Sequence, residues 1–125
     1  AVFSTMPAIR RSGANLIAET LGGFMLVFAL LAVISPGNFV PGSELSKGFG
    51  PLLVGAIVAA IGLSLGGPTG YAINPARDLG PRIAHAVLPI VGKRNSDWGY
   101  AWIPIIGPII GGVLGAVLYH VLWKS

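Results

Sequence analysis

At 125 residues the chain has the length of one small domain, but 54% hydrophobic and 10% charged residues exclude an ordinary soluble one, since globular domains carry about 25% charged residues. The formal net charge of +4 is scattered without a basic run, so no nucleic-acid partner is expected. The lack of cysteine excludes disulfides, thiolate metal sites and a cysteine nucleophile, and a mean hydropathy of +0.79 places the chain among membrane proteins.

Residues 1–14 open on AVFSTMPAIRRSG, without the basic, apolar and small-residue order of a signal peptide. No initiator methionine is present, so the chain is expected to begin partway through a longer protein. Residues 15–34 form the first stretch that approaches the roughly 20 apolar residues of a membrane-spanning helix. The link 35–48, SPGNFVPGSELSKG, is rich in Gly, Pro and Ser and reads as a loop. Residues 49–66 make a second span. The link 67–100 is too long for a turn, and about 75–88 it carries a helical apolar pattern too short to cross a bilayer. A re-entrant half helix is expected there.

The third span, 101–123, has Trp98, Tyr100 and Trp102 near one end and Tyr119 and Trp123 near the other, the arrangement of aromatic belts at two interfaces. Gly107, Gly111 and Gly115 recur every fourth residue, as do Gly62 and Gly66. Such stripes let helix backbones approach closely. The predicted fold is an all-α membrane protein of three transmembrane helices and one re-entrant half helix.

The charges of GYAINPARDLGPR (70–82) stand between two of these spans. Asn74 followed by Pro75 is a helix start signal, because Asn is a good N-cap and Pro suits the first helical position. A helix starting inside a bilayer directs unpaired N–H groups and a positive dipole end into it, and a polar cavity must receive them. The carbonyls of Gly70, Tyr71 and Ala72 would then form a ladder of acceptors, with the Asn74 amide and Arg77 guanidinium as donors. That pairing suits small hydroxylic molecules. An interfacial turn at Asn-Pro-Ala is the alternative.

These residues resemble the second Asn-Pro-Ala box of the major intrinsic proteins, in their glycerol facilitator (aquaglyceroporin) branch. Phe3-Ser4-Thr5 with Pro7 resembles the end of the family's central extracellular loop, Glu19 its buried glutamate, and Pro104-Ile105 its glycerol-type pair. Asp78 and Arg82 are also of the glycerol type. The resemblance covers the second half of a fold with six spans and two inverted repeats. It implies a passive channel for glycerol, water and other small uncharged solutes, multi-pass in the plasma membrane, with no cofactor and no enzymatic activity. It further implies a partner half carrying the first Asn-Pro-Ala box and a homotetramer of complete channels in the lipid bilayer. Carried over, the pore and filter are Gly62, Gly70, Tyr71, Ala72, Asn74, Pro75, Ala76 and Arg77, with Glu19 and Asp78 as support. Arg77 would repel cations, and Gly62 would widen the slot. Tyr71 stands where many glycerol channels have Phe, and its hydroxyl would make the slot narrower or more polar. Glu19 would accept hydrogen bonds from backbone N–H groups of the re-entrant loop; a proton-relay acid or an interfacial snorkeller is the alternative.

A rival reading comes from Gly62-Leu63-Ser64-Leu65-Gly66, which matches the Gly-x-Ser-x-Gly nucleophile elbow and with His120 suggests an intramembrane serine hydrolase. A passive scaffold is a third reading, but it leaves the 74–78 motif unexplained. His85 and His120 read as packing or interfacial residues, so no metal is assigned. Arg10, Arg11, Arg77, Arg82, Lys93 and Arg94 fall on one side of the spans, Lys47 and Lys124 on the other. The positive-inside rule would put the long second link in the cytoplasm, whereas the resemblance puts it outside.

Overall fold

A computed structural model describes residues 3–35, 37 and 45–123, with side chains from 48 onward in the last segment. Residues 36 and 38–44 of the expected loop, and Lys124, lie outside the described residues. Among the described residues four helices follow in order: α1 (Ser12–Val33), α2 (Leu45–Thr69), α3 (Pro75–Val87) and α4 (Trp102–Trp123). Within α1, α2 and α4, stretches of 22 residues each have the length and apolarity to cross a membrane. α3, at 13 residues, rises about 20 Å and cannot cross.

α2 begins inside the Gly, Pro and Ser-rich link and runs on through Pro68 to Thr69. It exceeds the apolar run 49–66 at both ends because, in a bilayer, backbone groups without water are best satisfied within a helix. Pro51 and Pro68 both lie inside it.

The bundle is built on the α1–α4 pair. A Cβ on Gly23 would come within 2.6 Å of the Pro108 Cα, one on Gly107 within 2.7 Å of the Glu19 Cβ, and one on Gly115 within 2.6 Å of the Phe24 carbonyl oxygen. A Cβ on Gly111 would collide with the Thr20 carbonyl. The stripe at 107, 111 and 115 therefore brings two helix backbones together, as small residues do in membranes. The Gly62 and Gly66 stripe receives something else: a Cβ at either would meet the Tyr71 side chain, at 2.9 and 3.2 Å. α2 packs principally on α1, and α3 on α4.

Large apolar side chains such as Leu63, Ile109, Val113 and Val117 are exposed on the outer faces, the pattern of a surface solvated by lipid. Of the expected aromatic belts, Trp98, Trp102 and Trp123 are exposed, but Tyr100 and Tyr119 turn inward and are buried. Tyr119 stacks on Trp123 with ring centroids 5.6 Å apart.

Replacing Gly115 by Ala forces α1 and α4 apart, and overpacking of this kind costs about 1–3 kcal/mol. The full-length protein in detergent should melt at a lower temperature. Gly13→Ala, where nothing lies within 4 Å of the new methyl, should melt at the parent temperature or above.

Candidate functional site

Residues 70–74 connect α2 to α3 in a strained path. Gly70, Tyr71 and Ile73 have φ values of 79, 67 and 45°, and positive φ is uncommon for residues with a Cβ. The loop persists because its neighbours over-determine it. The buried carboxylate of Glu19 accepts from the backbone N–H of Ala72 at 3.1 Å and of Ile73 at 2.7 Å. Two adjacent N–H groups thus share one anion, an arrangement that satisfies both the donors and a charge inside the bundle. Ile73 also presses onto α1, where a Cβ on Gly22 would lie 2.6 Å from its Cγ2. The chain near Met6 crosses over Gly70, whose added Cβ would sit 2.9 Å from the Met6 carbonyl oxygen, and Ala8 N–H donates to the Pro68 carbonyl at 3.1 Å.

Asn74 is extended, with φ −151° and ψ 119°. Its Oδ1 accepts from Ala76 N–H at 2.9 Å and Arg77 N–H at 3.4 Å, so it is the N-cap of α3, with Pro75 in the first turn. Asn74 and Arg77 are both exposed. Among the described residues neither the Asn74 Nδ2 nor the Arg77 guanidinium has a partner, and no donor reaches the carbonyl oxygens of Gly70, Tyr71 or Ala72. Loop carbonyls without donors and the exposed Asn74 and Arg77 side chains thus lie close in sequence around the start of the half helix, and these are groups of the kind a hydroxyl bonds to.

A second buried network holds α3 from its other side. Asp78 Oδ1 accepts from the backbone N–H of Thr5 at 2.8 Å, from the Thr5 hydroxyl and from Arg82 Nη2 at 2.9 Å. Its Oδ2 accepts from Arg82 Nε at 2.8 Å. Arg82 donates further to the carbonyls of Ser96, Asp97 and Thr5 at 2.7, 3.0 and 2.9 Å, so every guanidinium N–H is bonded. Asp78 and Arg82 are both inaccessible to solvent. Arg10 pairs with Asp97 at the surface at 2.5 Å, which ties the N-terminal segment to the same link.

Sequence reasoning had placed Asp78 among the supports but not Thr5, nor the two link carbonyls. The link carbonyls are backbone groups with no motif to mark them, and Thr5, though part of the Phe3-Ser4-Thr5 stretch, has a common hydroxyl with nothing to mark it as a partner of Asp78. Tyr100 was missed as well: burial, with the Glu19 carboxylate next in weight, pushes its phenol above the ordinary value. Among the described residues its buried hydroxyl has no hydrogen-bond partner. A cavity of 460 Å³ lies beside Phe3, Met6, His85 and the 90–97 link; its His85 Nδ1 and Ser96 Oγ, 2.9 Å apart, bond each other, and Lys93 Nζ donates to the Ala86 and Leu88 carbonyls at 2.8 and 2.9 Å.

Tyr71 sits where Gly62 and Gly66 leave room on α2, and its hydroxyl donates to the Val58 carbonyl at 2.6 Å. The hydroxyl is therefore engaged with α2. Ser64 lies mid-helix and donates to the Ala60 and Ile61 carbonyls at 2.8 and 3.3 Å. A nucleophile elbow needs a strand-to-helix turn, and His120 stands on α4 with its ring against Tyr119. The hydrolase reading finds no support in this geometry.

The family model described as Major intrinsic protein matches residues 2–119. The chain belongs to the major intrinsic protein family. Among its relatives in that family, Glycerol uptake facilitator protein 3 of Lactiplantibacillus plantarum is 59% identical over 121 residues, which cover 97% of this chain and 48% of the relative. The Probable glycerol uptake facilitator protein of Thermotoga maritima is 59% identical over 107 residues, 86% of this chain and 43% of the relative. The Glycerol uptake facilitator protein of Bacillus subtilis is 53% identical over 124 residues, 99% of this chain and 43% of the relative. The chain thus spans about half the length of these curated relatives, between 43% and 48%.

In Glu19→Gln the amide nitrogen faces one of the two loop N–H groups, leaving a buried donor unpaired, which costs about 1–3 kcal/mol. The full-length variant should melt at a lower temperature, and the Ala72 or Ile73 amide should lose hydrogen-exchange protection ahead of the α1 and α4 core. Equal protection in parent and variant would show that the carboxylate does not hold the loop.

Proposed function

We propose that this chain supplies one half of a passive pore for glycerol, water and other small uncharged solutes. The observation that carries the reading is the junction of loop and half helix, where the Gly70, Tyr71 and Ala72 carbonyls, the Asn74 amide and the Arg77 guanidinium follow one another in the chain without partners among the described residues. A polyol has a hydroxyl edge that needs acceptors and donors and a carbon edge that needs an apolar wall. The loop and Arg77 serve the first, and the Tyr71 ring serves the second. The names of the relatives, glycerol uptake facilitators in three bacteria, favour the same cargo.

On this reading Gly62, Gly70, Tyr71, Ala72, Asn74, Pro75, Ala76 and Arg77 line the pore and its filter. Glu19 and Asp78 support them. Residues 1–14 end an outer loop, 67–100 form the re-entrant loop, and the Arg-rich side faces outward. The partner is a second half carrying its own Asn-Pro-Ala box, and complete pores assemble as homotetramers in the plasma membrane. The protein catalyses no reaction; flux follows the solute gradient.

The reading is tested in liposomes carrying the full-length protein, where an inward glycerol gradient should cause reswelling well above that of empty liposomes. Arg77 and the positive end of α3 both face the solute, and a cation that sheds water there meets repulsion without a compensating anion. Arg77→Val should therefore raise proton or cation leak while glycerol still passes. Leak at background would make Arg77 a positioning residue.

A further inference from the structure

Tyr71 is seated on α2 from root to tip. A Cβ on Gly66 would come 3.2 Å from its Cβ, one on Gly62 would come 2.9 Å from its Cζ, and its hydroxyl reaches the Val58 carbonyl at 2.6 Å. Positions 58, 62 and 66 are four apart, so one row of α2 forms a trough with a hydrogen-bond acceptor at its far end. A carbonyl has two lone pairs, so Val58 can accept the phenol without giving up its helical bond. The backbone of Tyr71 is itself held in the left-handed region, at φ 67°, just ahead of the two N–H groups that Glu19 clamps. The loop leaves α2 at Thr69 with the Gly70 N–H bonded to the Gly66 carbonyl at 3.0 Å, and the Tyr71 side chain adds a second tie between the loop and this helix.

We propose that the bond from the Tyr71 hydroxyl to the Val58 carbonyl makes Tyr71 a size gauge: it locks the ring in the trough, and the locked ring sets the largest polyol that passes. The inference rests on the channel reading above. It differs from a hydroxyl that narrows the slot or adds polarity, because here the hydroxyl faces α2 and the solute meets only the ring. It also gives Gly62 a different part, that of seating the ring rather than leaving free space beside it.

The test compares water, glycerol, erythritol and xylitol permeabilities in liposomes carrying the full-length protein or Tyr71→Phe, with a melting curve of each. The Phe ring keeps its area but loses its anchor, so it can swing out of the trough. Erythritol and xylitol should gain about fivefold relative to glycerol, the scale of one lost hydrogen bond. Gly62→Ala should act in the opposite sense, pushing the ring toward the solute and lowering glycerol more than water. In the parent protein the Tyr71 hydroxyl proton should exchange slowly with water by NMR. A parallel fall of all four permeabilities with a lower melting temperature would reduce the bond to a structural tie. A joint rise of glycerol and water, or fast hydroxyl exchange, would put the hydroxyl in the path, and four unchanged permeabilities would reject the gauge. A parent protein that passes no glycerol would reject the channel reading and the gauge with it, whereas failure of the gauge alone appears only in variants of a conducting parent.

Discussion

Everything around the half helix depends on one carboxylate. The loop before α3 runs through three residues of positive φ, and the N–H groups of Ala72 and Ile73 turn into the buried interior. Glu19 accepts from two of them. An unpaired acid in that position would be costly, and so would two unpaired amides; together they satisfy each other. The position of Glu19 follows in turn from Gly107, which lets α4 lie directly against its Cβ. Helix packing, carboxylate, loop and N-cap thus form a single causal chain, and displacing any link would move Asn74.

The Asp78–Arg82 network does the same work at the other side of α3 by different means. A buried ion pair alone is a poor source of stability, because desolvation offsets much of its attraction. This one is surrounded by the Thr5 amide and hydroxyl and by three carbonyls, which complete the guanidinium and carboxylate without water. Its value lies in geometry: it joins the N-terminal segment, α3 and the link at one point. With both sides of α3 held, the groups at its mouth can stay unpaired without collapsing onto one another.

The parts of this arrangement that could be read from the chain were those where chemistry and spacing coincide. Asn74-Pro75 announces a helix start wherever it stands, and an acid at position 19 in an apolar span demands donors. Tyr100 and Tyr119 were misplaced because an aromatic near the end of a span reads the same whether it faces lipid or core. The extension of α2 to Leu45 was hidden by Gly, Pro and Ser, whose turn preference is local and is overridden where a helix must satisfy its own backbone groups in a bilayer. Arg82 was visible as a charge, but its acceptors are mostly backbone carbonyls that any residue could provide. The trough for Tyr71 looked like a helix contact, since a row of glycines admits a ring as readily as a backbone.

The α1–α4 pair has a temporal consequence. The most intimate packing of the bundle joins the first and last of the described helices, so it is a contact of large sequence separation, and such contacts form late. While the ribosome is still making α4, the side of α1 around Gly23 and Phe24 lacks the helix that covers it in the finished bundle. Glu19 can meet Ala72 and Ile73 as soon as residues 70–74 have emerged, yet the helix that fixes its Cβ arrives afterward. The grip of Glu19 on the loop can therefore precede the final span, whereas the contact of Gly107 with its Cβ comes only with that span.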